Sequence, residues 1–169
     1  FAALGVETLV IVTGHMNEEL EAQLSQWETP GIEIRFAFNP DYRLSNGISV
    51  LAGTEVFDGP FWLVMSDHIF EPILAPRLVA EVERFERQTQ GMLGVDYKLD
   101  TIFDMPDANK VRFDGQSLDA IGKEIAPFDC VDVGLFWCDA GFVSALQAER
   151  SQRGDCSTSD AVRRLCAAS

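Results

Sequence analysis

Lysine is almost missing from this chain. Of 169 residues only Lys98, Lys110 and Lys123 carry an ε-ammonium, and Lys+Arg is 13 against Asp+Glu 27, a formal charge of −14. General nucleic-acid binding needs a basic footprint that displaces counterions, so nucleic acid is excluded as a partner class. So acidic a protein binds phosphates only through a few placed cations or through Mg²⁺, and any lysine near the chemistry stands out. Cysteine is also sparse. Cys130, Cys138, Cys156 and Cys166 form no C-x-x-C pair, which speaks against a zinc site. Cys130 and Cys138 lie in an apolar strand-like run and read as buried free thiols. Nothing demands disulfides, so the cytoplasm is the expected location. No apolar run is long enough to span a bilayer and no signal peptide is visible, so no direct membrane insertion is expected. An initiator Met is lacking too. The chain opens on Phe1-Ala2-Ala3-Leu4-Gly5, which reads as the tail of a helix already under way.

What is present suits one globular domain over residues 1–169, with 47% apolar and 24% charged residues. Thr8 to Thr13 is a β-branched run ending at Gly14, the pattern of a strand buried on both faces. Asn17 is placed to cap a helix whose apolar face is Leu20, Leu24 and Trp27. Ile32 to Phe36 alternates as a second strand, and Ser45 or Asn46 can cap a helix carrying Ile48, Leu51, Ala52 and Val56. Phe61 to Met65 is a third, wholly apolar strand that delivers Ser66-Asp67-His68 at its C-terminal end. Leu74, Leu78, Val82 and Phe85 stripe a long helix, with Pro72 and Pro76 at or near its first turn. Met92 to Val95 is a fourth strand, Asp114-Gly115 joins a hairpin, and Val131 to Trp137 is a further buried strand. A short helix passes through Phe142, Val143 and Leu146, and Ser157-x-x-Asp160 matches a capping box opening the last one. Strands alternating with helices predict an α/β three-layer sandwich with a mainly parallel, Rossmann-like central sheet and the antiparallel hairpin as an insertion.

Ligands of open α/β sheets bind at the C-terminal ends of strands. Thr13-Gly14-His15, the loop from Asn39 to Ser49, and Ser66-Asp67-His68 fall there. Asp67 is the sharpest candidate, because a carboxylate at the end of a buried strand suits Mg²⁺, which prefers hard oxygen ligands. The competing reading is that Asp67 merely caps the following turn. His68 and the weaker His15 read as packed neighbours that hydrogen-bond locally. No Ser-His-Asp order or Cys-His context supports acyl transfer. Asp132 is a charge on an otherwise apolar strand and needs a partner or a ligand.

Six motifs in order, Asn39-Pro40-Asp41-Tyr42-x-x-Ser45-Asn46-Gly47-Ile48-Ser49, Met65-Ser66-Asp67-His68, Asp107-Ala108-Asn109-Lys110-Val111, Ile121-Gly122-Lys123, Val131-Asp132-Val133-Gly134 and Ser159-Asp160-Ala161, resemble the sugar-phosphate-type nucleotidyltransferases. Among these the chain looks closest to the cytidylyltransferases that activate inositol 1-phosphate or phosphocholine. The resemblance implies a Mg²⁺-dependent transfer of CMP from CTP to a phosphorylated polyol, choline or sugar, with loss of pyrophosphate. It implies that Asp67 and Asp160 hold the metal and that Asn39, Asn46 and Gly47 read the base. It implies that Lys123 contacts phosphate and that Lys110 and Asp132 touch the acceptor. For Asp160 a pure capping role is as well motivated, and Lys123 can be a solvated surface lysine. The family's Gly-rich loop and Pro-Lys pair are not among these residues, and Ser66 stands where the family usually has Gly. The chain is therefore expected to be truncated at both ends and inactive alone, with the missing strand lying beside Thr8 to Thr13. The alternatives are a uridylyl- or guanylyltransferase, or a non-catalytic regulatory α/β domain.

Overall fold

The computed structural model describes residues 2–56, 58–71, 73–85, 90–115 and 117–168. They divide into two compact units, one of residues 1–59 with 146–158 and the other of residues 60–145 with 159–169. No helix among the described residues is long and apolar enough to cross a membrane.

In the first unit, strands β1 (Thr8–Thr13) and β2 (Glu33–Phe38) pair in parallel from Thr8 opposite Glu33 to Thr13 opposite Phe38. Their crossover is helix α1 (Asn17–Leu24). Its N-cap is Met16, at a left-handed φ of 53°, so Asn17 is the first helical residue and not the cap. None of α1's residues is buried; Leu20 and Trp27 of the expected apolar face are exposed. Helix α2 (Asn46–Gly53) buries Ile48, Val50 and Leu51. Ser45 is its N-cap by backbone shape, but the Ser45 hydroxyl donates to Asp155 Oδ2 at 2.8 Å, not to the helix. Asp155 Oδ1 in turn accepts the N–H groups of Ser45 and Cys156. One carboxylate thus ties the start of α2 to the turn that leads into the last helix.

The second unit is built on strand β7 (Cys130–Cys138), where Leu135, Phe136, Trp137 and Cys138 are all buried. Burying each of the large side chains contributes about 1.5–3 kcal/mol. One edge of β7 pairs antiparallel with β4 (Gly91–Asp96). The other edge pairs antiparallel with β3 (Phe61–Val64) and then with β5 (Lys110–Asp114). The hairpin from β5 to β6 (Ser117–Gly122) turns at Gly115, whose φ of 63° suits a residue without Cβ. Helix α3 (Leu74–Phe85) links β3 to β4, with Pro76 in its first turn; Pro72 lies outside the described residues. Helix α4 (Ala140–Arg153) brings Phe142 to 6.2 Å from Phe136, ring to ring, and α5 (Thr158–Ala168) buries Ala161 and Val162.

The α/β composition agrees with the sequence reading, but the sheet direction does not. Among the described residues the five-stranded sheet is antiparallel in every pairing, and the one pair of strands that runs parallel is β1 with β2. The cause is specific. Strands β3 and β4, joined through α3, do run the same way, as a helical crossover demands. They lie on opposite edges of β7, which runs the other way between them. The alternation of elements reports the direction of consecutive strands and says nothing of a later strand inserted between them. The hairpin, expected as an insertion, is part of this sheet through β5 and β7. Cys130 and Cys138 are buried free thiols, as read from sequence; desolvation pushes the Cys130 thiol up to about 11 and Cys138 higher still.

Gly47 supplies a test of packing. A Cβ placed there would stand 2.5 Å from the Cys156 carbonyl oxygen and 2.7 Å from Leu146 Cδ2. The first neighbour is backbone and cannot swing away. Gly47→Ala is expected to destabilise the fold by about 1–3 kcal/mol, the usual range for overpacking. Chemical denaturation measures it, and a variant as stable as the parent would show that α2 and the 156 segment do not pack this closely.

Candidate active site

The candidate site residues fall into two groups. In the first unit, Thr13-Gly14-His15 and the Asn39–Ser49 loop meet at the C-terminal ends of β1 and β2. The Asn39 N–H donates to the Thr13 carbonyl at 2.8 Å, and a Cβ on Gly14 would collide with the Tyr42 side chain at 2.4 Å. Asn39 is buried and both ends of its amide have a partner in the chain: Nδ2 donates to Ser49 Oγ and Oδ1 accepts the Asp41 N–H. Asn46 exchanges two bonds with Thr158, Oδ1 accepting its N–H at 2.9 Å and Nδ2 donating to its Oγ1 at 3.3 Å. Gly47 lies against the Cys156 backbone. The three residues expected to read a base are therefore engaged with the chain itself. The loop presents outward Leu44 and the Tyr42 ring, the latter with the Arg43 guanidinium 5.7 Å from its centroid and His15 at 6.0 Å.

The second unit gathers the remaining candidates along neighbouring strands. Asp67 follows β3 in a short turn and its side chain is largely exposed. His68 Nδ1 lies 2.9 Å from Asp67 Oδ1. An ionised carboxylate only accepts, so Nδ1 carries the proton and donates. That bond, more than any other influence, holds the Asp67 carboxyl below its usual range. Oδ2 is left available for a cation.

Asp132 sits in the first half of β7. Burial pushes its carboxyl up, opposed by the Gly134 N–H at 2.6 Å, by Asn109 Nδ2 at 3.5 Å and by the nearby His68. Asn109 closes the link from both sides, since its carbonyl accepts the Asp132 N–H. Lys110 begins β5 opposite Val131 of β7 and Gly122 of β6. It is buried, and its ammonium donates to the Pro106 carbonyl at 3.2 Å. Lys123, just past β6, is exposed and paired with Asp107. Asp160, near the start of α5, accepts from Arg163 Nη2 at 2.6 Å, while Arg163 Nη1 donates to the Ile121 carbonyl. Arg163 thereby ties Asp160 to the end of β6, immediately before Gly122-Lys123. The register brings Asp132, Lys110 and Gly122 onto adjacent strands.

No group of three or more His, Cys, Asp or Glu that could hold a metal occurs among the described residues. Mg²⁺ does not require one, because it keeps several waters and is bound through one or two carboxylates plus substrate phosphates. Asp67, ionised and exposed with one oxygen available, fits that mode; Asp160 already carries the Arg163 guanidinium. Two contributors escaped sequence reasoning, Arg163 and Asn109 as the partner of Asp132, whereas His68 hydrogen-bonds its neighbour Asp67 as the sequence suggested. Of the two, Asn109 had a signal, its place in the Asp107 to Val111 motif.

No family model matches the chain. A bifunctional IPC transferase and DIPP synthase of Rubrobacter xylanophilus is 32% identical over 130 residues, which is 77% of this chain and 28% of that protein. A CMP-5′-(3-aminopropyl)phosphonate synthase of Streptomyces rubellomurinus is 35% identical over 83 residues, 48% of this chain and 13% of that one. Among solved structures, the inositol-1-phosphate CTP transferase from T. maritima superposes with a TM-score of 0.78 at 23% identity, covering 98% of this chain and 64% of that one. A UDP-glucose pyrophosphorylase bound to UDP-glucose gives 0.74 at 14% identity, covering 98% and 71%. The chain thus spans about a third or less of the length of the curated relatives it matches. The ordered motifs, the relative aligned across three quarters of the chain and the shared fold agree: the chain is similar to the sugar-phosphate-type nucleotidyltransferases.

Proposed function

We propose that the complete protein transfers CMP from CTP to a small phosphorylated alcohol, inositol 1-phosphate above phosphocholine or a sugar 1-phosphate, and releases pyrophosphate. The observation that carries the reading is Asp67: ionised, exposed at the end of β3, with one carboxylate oxygen held by His68 and the other available. The preference for CTP draws on the names of two similar proteins, one a CTP transferase and one a synthase of a CMP-phosphonate.

In the reaction an oxygen of the acceptor phosphate forms a bond to the α-phosphorus of CTP. The bond from that phosphorus to the oxygen bridging to the β-phosphorus breaks, and pyrophosphate leaves with the electron pair. Such transfer is mostly positioning and charge neutralisation. Mg²⁺, held by Asp67, would supply a Lewis acid and a template at the phosphates, and Asp160 would join as second carboxylate by giving up its bond from Arg163. Lys123 would meet acceptor phosphate by exchanging its partner Asp107 for it. Lys110, with a single carbonyl acceptor for three N–H donors, has donors to spare for the same anion. Asp132 keeps lone pairs beyond those taken by Gly134 and Asn109, and these suit a hydroxyl of the acceptor. In the other unit, Asn39, Asn46 and Gly47 would shape the pyrimidine-binding loop through their internal contacts.

Two measurements check this. Pyrophosphate release from CTP, UTP, GTP and ATP with inositol 1-phosphate, phosphocholine and glucose 1-phosphate is expected to be fastest with CTP and inositol 1-phosphate. Preference for UTP or GTP would make the protein a uridylyl- or guanylyltransferase, and no release with any pair would make the domain non-catalytic. Asp67→Asn is nearly isosteric and removes the charge. Turnover is expected to fall roughly 10²-fold or more, on the scale of losing a major charge-stabilising group, with an unchanged melting temperature. Parent-like turnover would leave Asp67 a structural cap.

A further inference from the structure

We propose that His68 is a positioning residue for Asp67, seated in a slot kept open by the missing side chain of Gly134. The inference rests on the reading of Asp67 as a metal ligand and adds the device that aims it.

The pairing of β3 with β7 extends one residue past the strand, where the Met65 N–H donates to the Gly134 carbonyl at 2.9 Å. The chain then turns tightly, the His68 N–H pointing back to the Met65 carbonyl at 3.4 Å. This turn lays the imidazole directly on Gly134. A Cβ there would stand 2.9 Å from His68 Nδ1, 3.0 Å from His68 Cγ and 3.0 Å from Met65 Cβ. Gly134 also has a φ of 70°, a shape side chains resist, and Asp132 Oδ1 pins it by accepting its N–H at 2.6 Å. The Phe70 ring stacks against the imidazole, 6.5 Å between centroids and 18° between planes. The ring is thus held by the backbone of Gly134 below and an aromatic neighbour, and its Nδ1–H points at Asp67 Oδ1.

A surface carboxylate with no such partner rotates about its own bonds. Held through Oδ1, it presents Oδ2 in one direction. Hydrogen bonds of this kind to metal-binding carboxylates commonly set metal affinity, and their loss costs about 10–100-fold. A histidine kept only for local packing would not show that effect.

The test compares two amides. Asparagine can place an N–H donor where His68 Nδ1 lies, whereas glutamine places it near the Nε2 position. In the complete protein, the affinity for Mn²⁺·CTP is titrated by electron paramagnetic resonance, and the half-saturating Mg²⁺ for turnover is measured beside it. His68→Gln is expected to weaken both about 10–100-fold while turnover at saturating Mg²⁺ largely recovers, and His68→Asn to stay within about threefold of the parent. Parent-like binding by His68→Gln, or equal weakening by the two variants, overturns the proposal. Asp67→Asn separates the two levels. If it weakens Mn²⁺·CTP binding and His68→Gln does not, only the positioning role falls. If it binds as the parent does, the metal-ligand reading falls and the positioning role with it.

Discussion

A carboxylate inside an apolar strand has to be answered by its surroundings, and in the second unit much is arranged around that demand. Asp132 lies among Val131, Val133, Leu135, Phe136 and Trp137, where burial raises the cost of its charge. The answers come from backbone and side chain together. Gly134 turns to a positive φ and gives its N–H, Asn109 gives an amide, and His68 stands close. The register of β4 shifts between Leu93 and Val95, opposite this part of β7. The site follows from the same adjustment. By removing a side chain from β7, Gly134 admits the imidazole that holds Asp67.

The identity of most elements could be read from the sequence because periodicity reports local geometry. The apolar run of β7, the stripe of α3 and the Asp114-Gly115 turn each depend only on near neighbours. Strand order depends on residues far apart. That β7 would enter between β3 and β4 is a matter of 33 intervening residues or more (97–129), and no local pattern encodes it. Helix α1 departs for a different reason. Its spacing is amphipathic, yet Leu20 and Trp27 are exposed, so periodicity gave the helix without giving its burial.

The site shows the same division. Asp67 was legible because an apolar strand ending in a carboxylate is a statement about one segment. Asn39, Asn46 and Gly47 were legible as special residues, but not as residues facing their own chain. Their partners, Ser49, Asp41, Thr158 and Cys156, come partly from more than 100 positions away. Arg163 had no signal at all, since an arginine on a helix is ordinary until its second nitrogen is found on the Ile121 carbonyl.

The proposed function requires that the nucleotide's metal sit at Asp67, beside the His68–Gly134 contact. Paramagnetic relaxation addresses it directly. When the ¹⁵N-labelled complete protein is titrated with Mn²⁺·CTP, the amides of Asp67, His68 and Gly134 are predicted to broaden first and most strongly, with Mg²⁺·CTP as the diamagnetic control. Broadening that spares those three amides and centres elsewhere, for example on Met16 to Ala22, would contradict the account.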